Sequence, residues 1–197
     1  MAVGAIIPVY KEPHFLNDVI RNISWVDEIA IIESEFKSQA DQAEIRNAAI
    51  NELDNCDYVF VLDADEILLE EDARYLLDYA SRSFYEAFGA LAVSYIQDFE
   101  HVVDYDTGHH AIVLVKKGVR LHDTRCYNRS FIPMSDVKLH HLKFLQPWDY
   151  IAFRDRQKEE KRLVREVTKV PLNEQLQRAV KAPIFNNIEK VGYGERF

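Results

Sequence analysis

The stretch "VFVLDADEIL", residues 59–68, ends an apolar run in three carboxylates, Asp63, Asp65 and Glu66. A short apolar run bounded by polar residues predicts a buried strand. In an open α/β sheet, ligands bind beyond the carboxyl ends of the strands, which is where Asp63 and Asp65 fall. Two carboxylates this close repel each other unless a cation lies between them. The stretch therefore predicts a divalent metal site at the end of a strand.

Hard oxygen ligands suit Mg²⁺ or Mn²⁺, and such sites commonly leave coordination positions for substrate phosphates. The ligand that this chemistry implies is a diphosphate. An alternative interpretation is structural: the acids cap the helix that follows, where the helix dipole favours negative charge.

The pattern around this stretch predicts alternating strands and helices. Unbroken apolar runs at residues 3–10, 28–34 and 58–63 indicate strands buried on both faces. Helical spacing of apolar residues lies between them, at Phe15, Leu16, Val19, Ile20 and Ile23, and at Ile45, Ala48, Ala49 and Leu53. A third helix is predicted over residues 71–88, with Ala73, Leu76, Leu77, Ala80 and Phe84 on one face. The first half is therefore β-α-β-α-β.

The second half predicts a more mixed arrangement. Short strand candidates at residues 89–96, 111–115 and 136–142 are joined by polar loops, the kind of segment that often binds substrate. Residues 148–170 predict an amphipathic helix with a solvated face. We expect one domain over residues 1–170, followed by a C-terminal extension, 171–197, that acts as a flap or a partner-binding arm.

Composition excludes several classes of function. The chain has 197 residues, 48% of them hydrophobic, and a net charge of -9. No apolar run approaches the roughly 20 residues of a membrane helix, and the charge argues against binding nucleic acid. The N-terminal run is broken by Pro8 and predicts a strand rather than a signal peptide, so a cytoplasmic protein is expected. Cys56 and Cys126 are expected to be reduced structural thiols.

The segments "AEIRNAAI" and "YVFVLDADE" together resemble the nucleotide-sugar site of GT-A fold glycosyltransferases of the family 2 type, and "AIIPVYKEP" is similar to the opening strand of that family. The resemblance implies an α/β, Rossmann-like nucleotide-diphospho-sugar transferase fold with a mixed central sheet flanked by helices. It also implies a nucleotide-binding half, 1–66, and an acceptor and metal half, 90–145. The implied nucleotide-binding residues are Pro8, Val9, Tyr10, Glu12, Arg46, Asn47, Asp63, Ala64 and Asp65, with Glu33 replacing the usual second-strand Asp.

Two later segments extend the resemblance. "SDVKLHHLKFL" resembles the strand that brings a third metal ligand, which implies the set Asp63, Asp65 and His141. Strand alternation favours His141, on the face of Val137 and Leu139, over His140. "VRLHDTRC" resembles the acceptor-side segment with a His-acid pair, which implies Asp123 as general base. Alternative bases in the preceding polar segment are Asp98 and Glu100, followed by Asp104 and Asp106.

The resemblance implies transfer of a sugar from a nucleoside-diphosphate donor to an acceptor hydroxyl, dependent on Mn²⁺ or Mg²⁺ and inverting. The acceptor would be a glycan or glycoprotein. The chain also resembles short members of the family from archaeal viruses, which implies a capsid protein as acceptor and a host cytoplasm as location. Two alternatives stay open: a haloacid-dehalogenase-like phosphatase with Asp63 as nucleophile, although that motif usually ends the first strand, and a non-catalytic sugar- or nucleotide-binding module.

Overall fold

The computed structural model describes residues 1–9, 14–33, 39–96, 98–103, 109–122, 131–145 and 179–181. Its elements, in chain order, are β1 (Val3–Val9), α1 (Leu16–Ile23), β2 (Glu28–Glu33), α2 (Gln39–Glu52), β3 (Tyr58–Val61), β4 (Glu66–Leu68), α3 (Glu70–Ser81), β5 (Ala87–Ile96), β6 (Asp98–Val103), β7 (His110–Lys116), β8 (Ile132–Phe144) and β9 (Ala179–Lys181). The predicted β-α-β-α-β start is confirmed.

The strands of the described residues form one mixed sheet. Its order is β2-β1-β3-β7-β5-β6-β9, and β8 pairs with both β4 and β5. Strand β1 is parallel to β2 and β3, whereas β7 is antiparallel to β3. Because β1, β2 and β3 are parallel, their carboxyl ends meet at one edge of the sheet, and the acids after β3 lie at that edge.

Alternation along the strands sends side chains to two cores. Odd-numbered residues of β1, including Ile7, belong to one buried cluster with residues of α1 and α3 such as Val19 and Leu76. Ile6 faces the other way and packs with residues of α2, including Ile50. A period of two therefore covers both faces of the sheet with helices, as the predicted fold class requires.

The end of helix α2 is capped from a distant part of the chain. Lys117, in the turn after β7, donates from Nζ to the carbonyl oxygens of Ile50 at 2.8 Å, Asn51 at 3.0 Å and Leu53 at 2.7 Å. The last carbonyls of a helix have no partner within it, and a cation there is also favoured by the helix dipole. Gly118 follows with a φ of 89°, which a residue with a side chain rarely adopts.

The predicted third helix is too long. Helix α3 ends at Ser81, Phe84 lies fully exposed, and residues 87 and 88 already belong to β5. Serine hydroxyls explain the early end, because they bond to nearby backbone in competition with the helix. The Ser81 hydroxyl donates to the carbonyl of Asp78, and the Ser83 hydroxyl accepts from the amide of Tyr85.

The prediction that every strand of the first half is buried on both faces is wrong for β2. Its residues are all exposed or half-buried, and Ile31 is 48% exposed. Strand β2 pairs only with β1 among the described strands, so it lies at an edge of the described sheet.

The predicted amphipathic helix at residues 148–170 lies outside the described residues, as does most of the C-terminal extension. Within that extension, β9 pairs antiparallel with β6. None of the described helices is long and apolar enough to cross a membrane.

Candidate active site

The acidic turn after β3 is closed by one of its own carboxylates. The amide of Glu66 donates to the carbonyl of Asp63 at 3.0 Å, and the Glu66 carboxylate accepts from the amide of Asp63 at 2.9 Å. The turn is held to β8 as well, because the amide of Leu142 donates to the carbonyl of Asp65 at 2.7 Å. The buried Glu66 carboxylate thus stabilises the backbone of the turn. The turn holds the side chains of Asp63 and Asp65 after the end of β3.

The alternative in which these acids cap a helix is wrong. The turn is followed by strand β4, and α3 begins only after it. The capping residue of α3 is Leu69, which makes no side-chain capping bond, and the acids of its first turn are Glu70, Glu71 and Asp72. Asp63 and Asp65 therefore need another explanation.

Asp63 has a buried cation as its partner. Arg46 of α2 donates from one terminal nitrogen to Asp63 Oδ1 at 2.6 Å, and its side chain is only 6% exposed, against 38% for Asp63. The Arg46 Nε is buried without a hydrogen-bond partner in the part of the chain that the structure describes. A charge-assisted bond of this length fixes the carboxylate in place. The guanidinium thus offsets the repulsion between the two acids on the Asp63 side.

Asp65 faces a histidine of β8. The Nε2 atom of His141 lies 3.9 Å from Asp65 Oδ1, and the two side chains are 28% and 8% exposed. This proximity follows from sheet pairing, because β4 pairs antiparallel with β8 in a register that places Glu66 opposite His141. The other ring nitrogen of His141, Nδ1, lies 3.1 Å from the hydroxyl of Ser94 on β5.

His140 lies on the opposite face of β8. Its Nδ1 is 2.9 Å from the hydroxyl of Tyr95, and the two rings are stacked with centroids 5.8 Å apart. Burial, with a smaller contribution from the charge of Lys138, lowers the pKa of His140 to about 3, and burial raises the pKa of Tyr95. His140 is therefore neutral and part of the core.

The predicted metal set can be tested against these distances. Two atoms that ligate one ion at about 2.1 Å and at a right angle lie about 3 Å apart, so Asp65 and His141 would have to approach by about 1 Å to share an ion. Asp63, the third predicted ligand, is engaged by Arg46. No three His, Cys, Asp or Glu side chains gather into a metal site among the described residues. Asp65 and His141 are candidates for two positions of a metal site only after such an approach, and the three-ligand set stays a prediction.

The predicted nucleotide-binding residues on β1 and β2 lie at the carboxyl ends of these two strands. In β1, Pro8 and Val9 are the last two residues, and Val9 lies opposite Glu33, the exposed last residue of β2. The pairing of β1 with β3 ends at Ile6, so the missing amide hydrogen of Pro8 removes no bond to β3. Ala64, in the acidic turn, is buried. Tyr10 and Glu12 lie outside the described residues.

The Asn47 side chain makes two hydrogen bonds within the protein, and its contact with the nucleotide stays a prediction. Its side-chain amide donates to the carbonyl of Leu121 at 2.9 Å and its oxygen accepts from the amide of Leu121 at 2.8 Å. This pair of bonds ties α2 to the segment that precedes Asp123 in the sequence. Asn47 is occupied in this way, one residue from Arg46.

Three of the five candidate general bases lie outside the residues that the structure describes. Asp123 lies outside the described residues, as do Asp104 and Asp106. Asp98 and Glu100 belong to β6, which pairs with β5 and β9. The assignment of the base stays a prediction.

Sequence reasoning missed two polar residues of the site, Glu66 as the residue that closes the turn and Ser94, and it missed Tyr95 as the core partner of His140. A signal for Ser94 was available, because a serine inside the apolar run "GALAVSYI" has to find a hydrogen-bond partner if it is buried. Which partner it finds depends on the pairing of β5 with β8, two strands that are far apart in the sequence.

The sheet, the helices on its two faces and the acidic turn at its carboxyl edge define the GT-A fold. The sequence matches no protein-family model and no curated protein. Among solved structures, S. aureus TarS 1-349 in complex with UDP-GlcNAc matches with a TM-score of 0.52 and 10% identity, over 77% of this chain and 61% of that chain. This likeness supports the fold.

Two further solved structures match less well. A longer S. aureus TarS structure has a TM-score of 0.49 and 10% identity, over 72% of this chain and 37% of that chain. A197 from STIV has a TM-score of 0.48 and 11% identity, over 72% of this chain and 86% of that chain. The match with this chain thus spans little more than a third of the longer TarS chain.

Proposed function

We propose that the protein is a glycosyltransferase that moves a sugar from a nucleoside-diphosphate donor to an acceptor hydroxyl. The observation that carries the proposal is the convergence, at the carboxyl edge of a GT-A sheet, of Asp63 with Arg46 and of Asp65 with His141. The fold neighbour TarS 1-349, crystallised with UDP-GlcNAc, supports a nucleotide sugar as the donor.

The two carboxylates take different roles in this proposal. Asp63, held by Arg46 and more than a third exposed, is suited to accept hydrogen bonds from the hydroxyls of a ribose. Asp65 and His141 are the residues that would hold a divalent cation, which supplies positive charge where the departing diphosphate accumulates negative charge. The Arg46 guanidinium lies against Asp63 and keeps that carboxylate oriented.

Transfer to the acceptor hydroxyl requires a general base in this proposal. A carboxylate that removes the proton of the acceptor hydroxyl contributes about 10² to 10⁴-fold to the rate. We propose Asp123 for this role, with Asp98 and Glu100 as alternatives, and single displacement with inversion at the sugar. Asp123→Asn should then slow transfer strongly while donor affinity changes little, because a general base acts on the acceptor. Normal turnover in this variant would move the role to Asp98 or Glu100.

The test is a thermal-shift screen of nucleotide sugars with and without Mn²⁺, on the wild type and on Asp65→Asn. A ligand that binds the native state stabilises it according to its concentration relative to its dissociation constant, so the preferred donor will stand out. We expect a Mn²⁺-dependent shift with one nucleotide sugar, absent from Asp65→Asn although that variant keeps its melting temperature without ligand. No stabilisation by any nucleotide sugar would contradict the proposal.

The same samples separate the alternatives. A phosphatase with Asp63 as nucleophile would release phosphate from a phosphate ester and bind a phosphate analogue in place of a nucleotide sugar. A binding module would bind the nucleotide sugar but leave it intact in the presence of acceptor glycans. Release of the nucleoside diphosphate, measured with a coupled assay, distinguishes turnover from binding.

A further inference from the structure

We propose that Ser94 is a positioning residue that sets which nitrogen of His141 faces the active site; this inference rests on the proposed function, in which His141 and Asp65 hold a divalent cation. The Ser94 hydroxyl lies 3.1 Å from His141 Nδ1, and the residue is only 1% exposed. The ring is thereby oriented with Nε2 toward Asp65.

The contact is built into the sheet. Strands β5 and β8 are parallel, and their register places Ser94 opposite His141. Ser94 has no access to water, so its hydroxyl needs a partner within the protein, and Nδ1 of His141 is the partner that the structure gives it. Removing the hydroxyl would take this hydrogen-bond partner away from Nδ1 of His141.

The chemistry of the hydroxyl suits a residue that positions a metal ligand. A serine hydroxyl can accept the proton of an imidazole N–H. When Nδ1 carries the proton and donates it to Ser94, the lone pair of Nε2 points toward Asp65 and can bind a cation. In the proposed arrangement Nδ1 therefore donates to Ser94, and loss of the hydroxyl removes the preference for this tautomer. Partners of this kind commonly tune metal affinity by about 10 to 100-fold.

The neighbouring residue provides a matched control. Tyr95 directs its hydroxyl to His140 on the opposite face of β8, at 2.9 Å. Ser94→Ala and Tyr95→Phe therefore each remove one hydroxyl from one histidine, in adjacent positions of the same strand. Of the two histidines, His141 is the one that faces Asp65.

The experiment combines Mn²⁺ affinity, measured by electron paramagnetic resonance, with ¹⁵N spectra of the histidine side chains, which report the tautomer directly. We expect Ser94→Ala to bind Mn²⁺ about 10 to 100-fold more weakly and to show His141 as a mixture of tautomers. Ser94→Thr, which keeps the hydroxyl, should restore one tautomer and most of the affinity. Tyr95→Phe should bind Mn²⁺ as the wild type does.

Two results would overturn the inference: unchanged Mn²⁺ affinity and tautomer in Ser94→Ala, or an equal loss of affinity in Tyr95→Phe, which would indicate general loosening of β5. If the wild type binds no Mn²⁺, the metal in the proposed function is wrong. The ¹⁵N spectra without metal still decide in that case whether Ser94 orients His141. Melting temperatures of all variants check that each one is folded.

Discussion

His140 and His141 are adjacent in the sequence and chemically identical, yet they lie in opposite environments. His140 is buried, stacked on Tyr95 and neutral, whereas His141 is partly exposed and faces Asp65. Each ring lies within hydrogen-bonding distance of a hydroxyl on β5. The partner of His140 is Tyr95, and the partner of His141 is Ser94. Because successive residues of a strand point to opposite faces, the register of the two strands assigns one histidine to the core and the other to the site.

The residue type alone therefore does not mark a metal ligand. Both histidines have a hydroxyl partner, so a hydrogen bond to the ring is not the distinguishing feature. What distinguishes them is the second nitrogen of His141, which points to a carboxylate at the edge of the sheet where ligands bind. Three measurements test this contrast between the two histidines.

The largest expected effect is the pH dependence of stability that comes from His140. Its pKa is about 3 in the folded protein and near 6.5 in the unfolded chain, so below pH 6.5 the unfolded state takes up a proton that the native state does not. Stability due to this residue is therefore fully present above pH 6.5 and is lost progressively as the pH falls to about 3. Between pH 7 and 4.5 the loss should be about 3 kcal/mol.

Urea unfolding of the wild type and of His140→Phe at several pH values measures this term. The aromatic replacement keeps a ring against Tyr95 but cannot titrate, and the carboxylates contribute equally to both proteins. The difference in unfolding free energy between the two should change over this pH range. Parallel pH profiles would mean that His140 is not held neutral by burial.

The next effect concerns His141. In His141→Ala, affinity for Mn²⁺ and for a nucleoside diphosphate should fall together, by about 100-fold, because the diphosphate is anchored largely through the cation. Affinity for a nucleoside without phosphates should barely change. Calorimetric titration gives all three affinities.

His140→Ala is the matched control for that titration. It opens a cavity in the core and should lower the unfolding free energy by about 2 to 4 kcal/mol, while the folded protein binds Mn²⁺ normally. If both alanine variants keep full affinity, the metal site does not involve β8.

The smallest expected effect is that of Tyr95→Phe on stability. The change removes the hydroxyl partner of His140 Nδ1 and leaves the buried ring in place. A neutral hydrogen bond of this kind contributes about 1 kcal/mol, which lowers the melting temperature of a domain of this size by about 2 to 4 °C. Differential scanning calorimetry is sufficient to measure it, and an unchanged melting temperature would show that the bond contributes nothing.

Local sequence patterns predicted the first half of the fold well. The apolar runs of β1 and β3 and the helical spacing in α1 and α2 are properties of short segments, so they can be read without knowledge of the rest. The predicted overrun of α3 arose because Phe84 continues the helical spacing, while the serine side chains that end the helix act at the level of single hydrogen bonds.

The candidate site was predictable only in part. The position of Asp63 and Asp65 at the end of a buried strand follows from the local pattern. The choice of Arg46 as the partner of Asp63 depends on how α2 packs on the sheet, and the contact of Ser94 with His141 joins residues 47 positions apart. Contacts of this range are set by the register between strands, which a single sequence does not encode locally.

The bonds from Lys117 to the end of α2 affect the order of events during synthesis. They join residues 64 to 67 positions apart, and β3, in the middle of the sheet, has β7 as one of its two neighbours. A nascent chain that has not yet reached residue 117 therefore carries a helix end without its lysine and a strand with an open edge. Such edges pair readily with other chains. The chain has to extend past Lys117 before its first half is protected, so β7 and the first half are expected to fold as one cooperative unit.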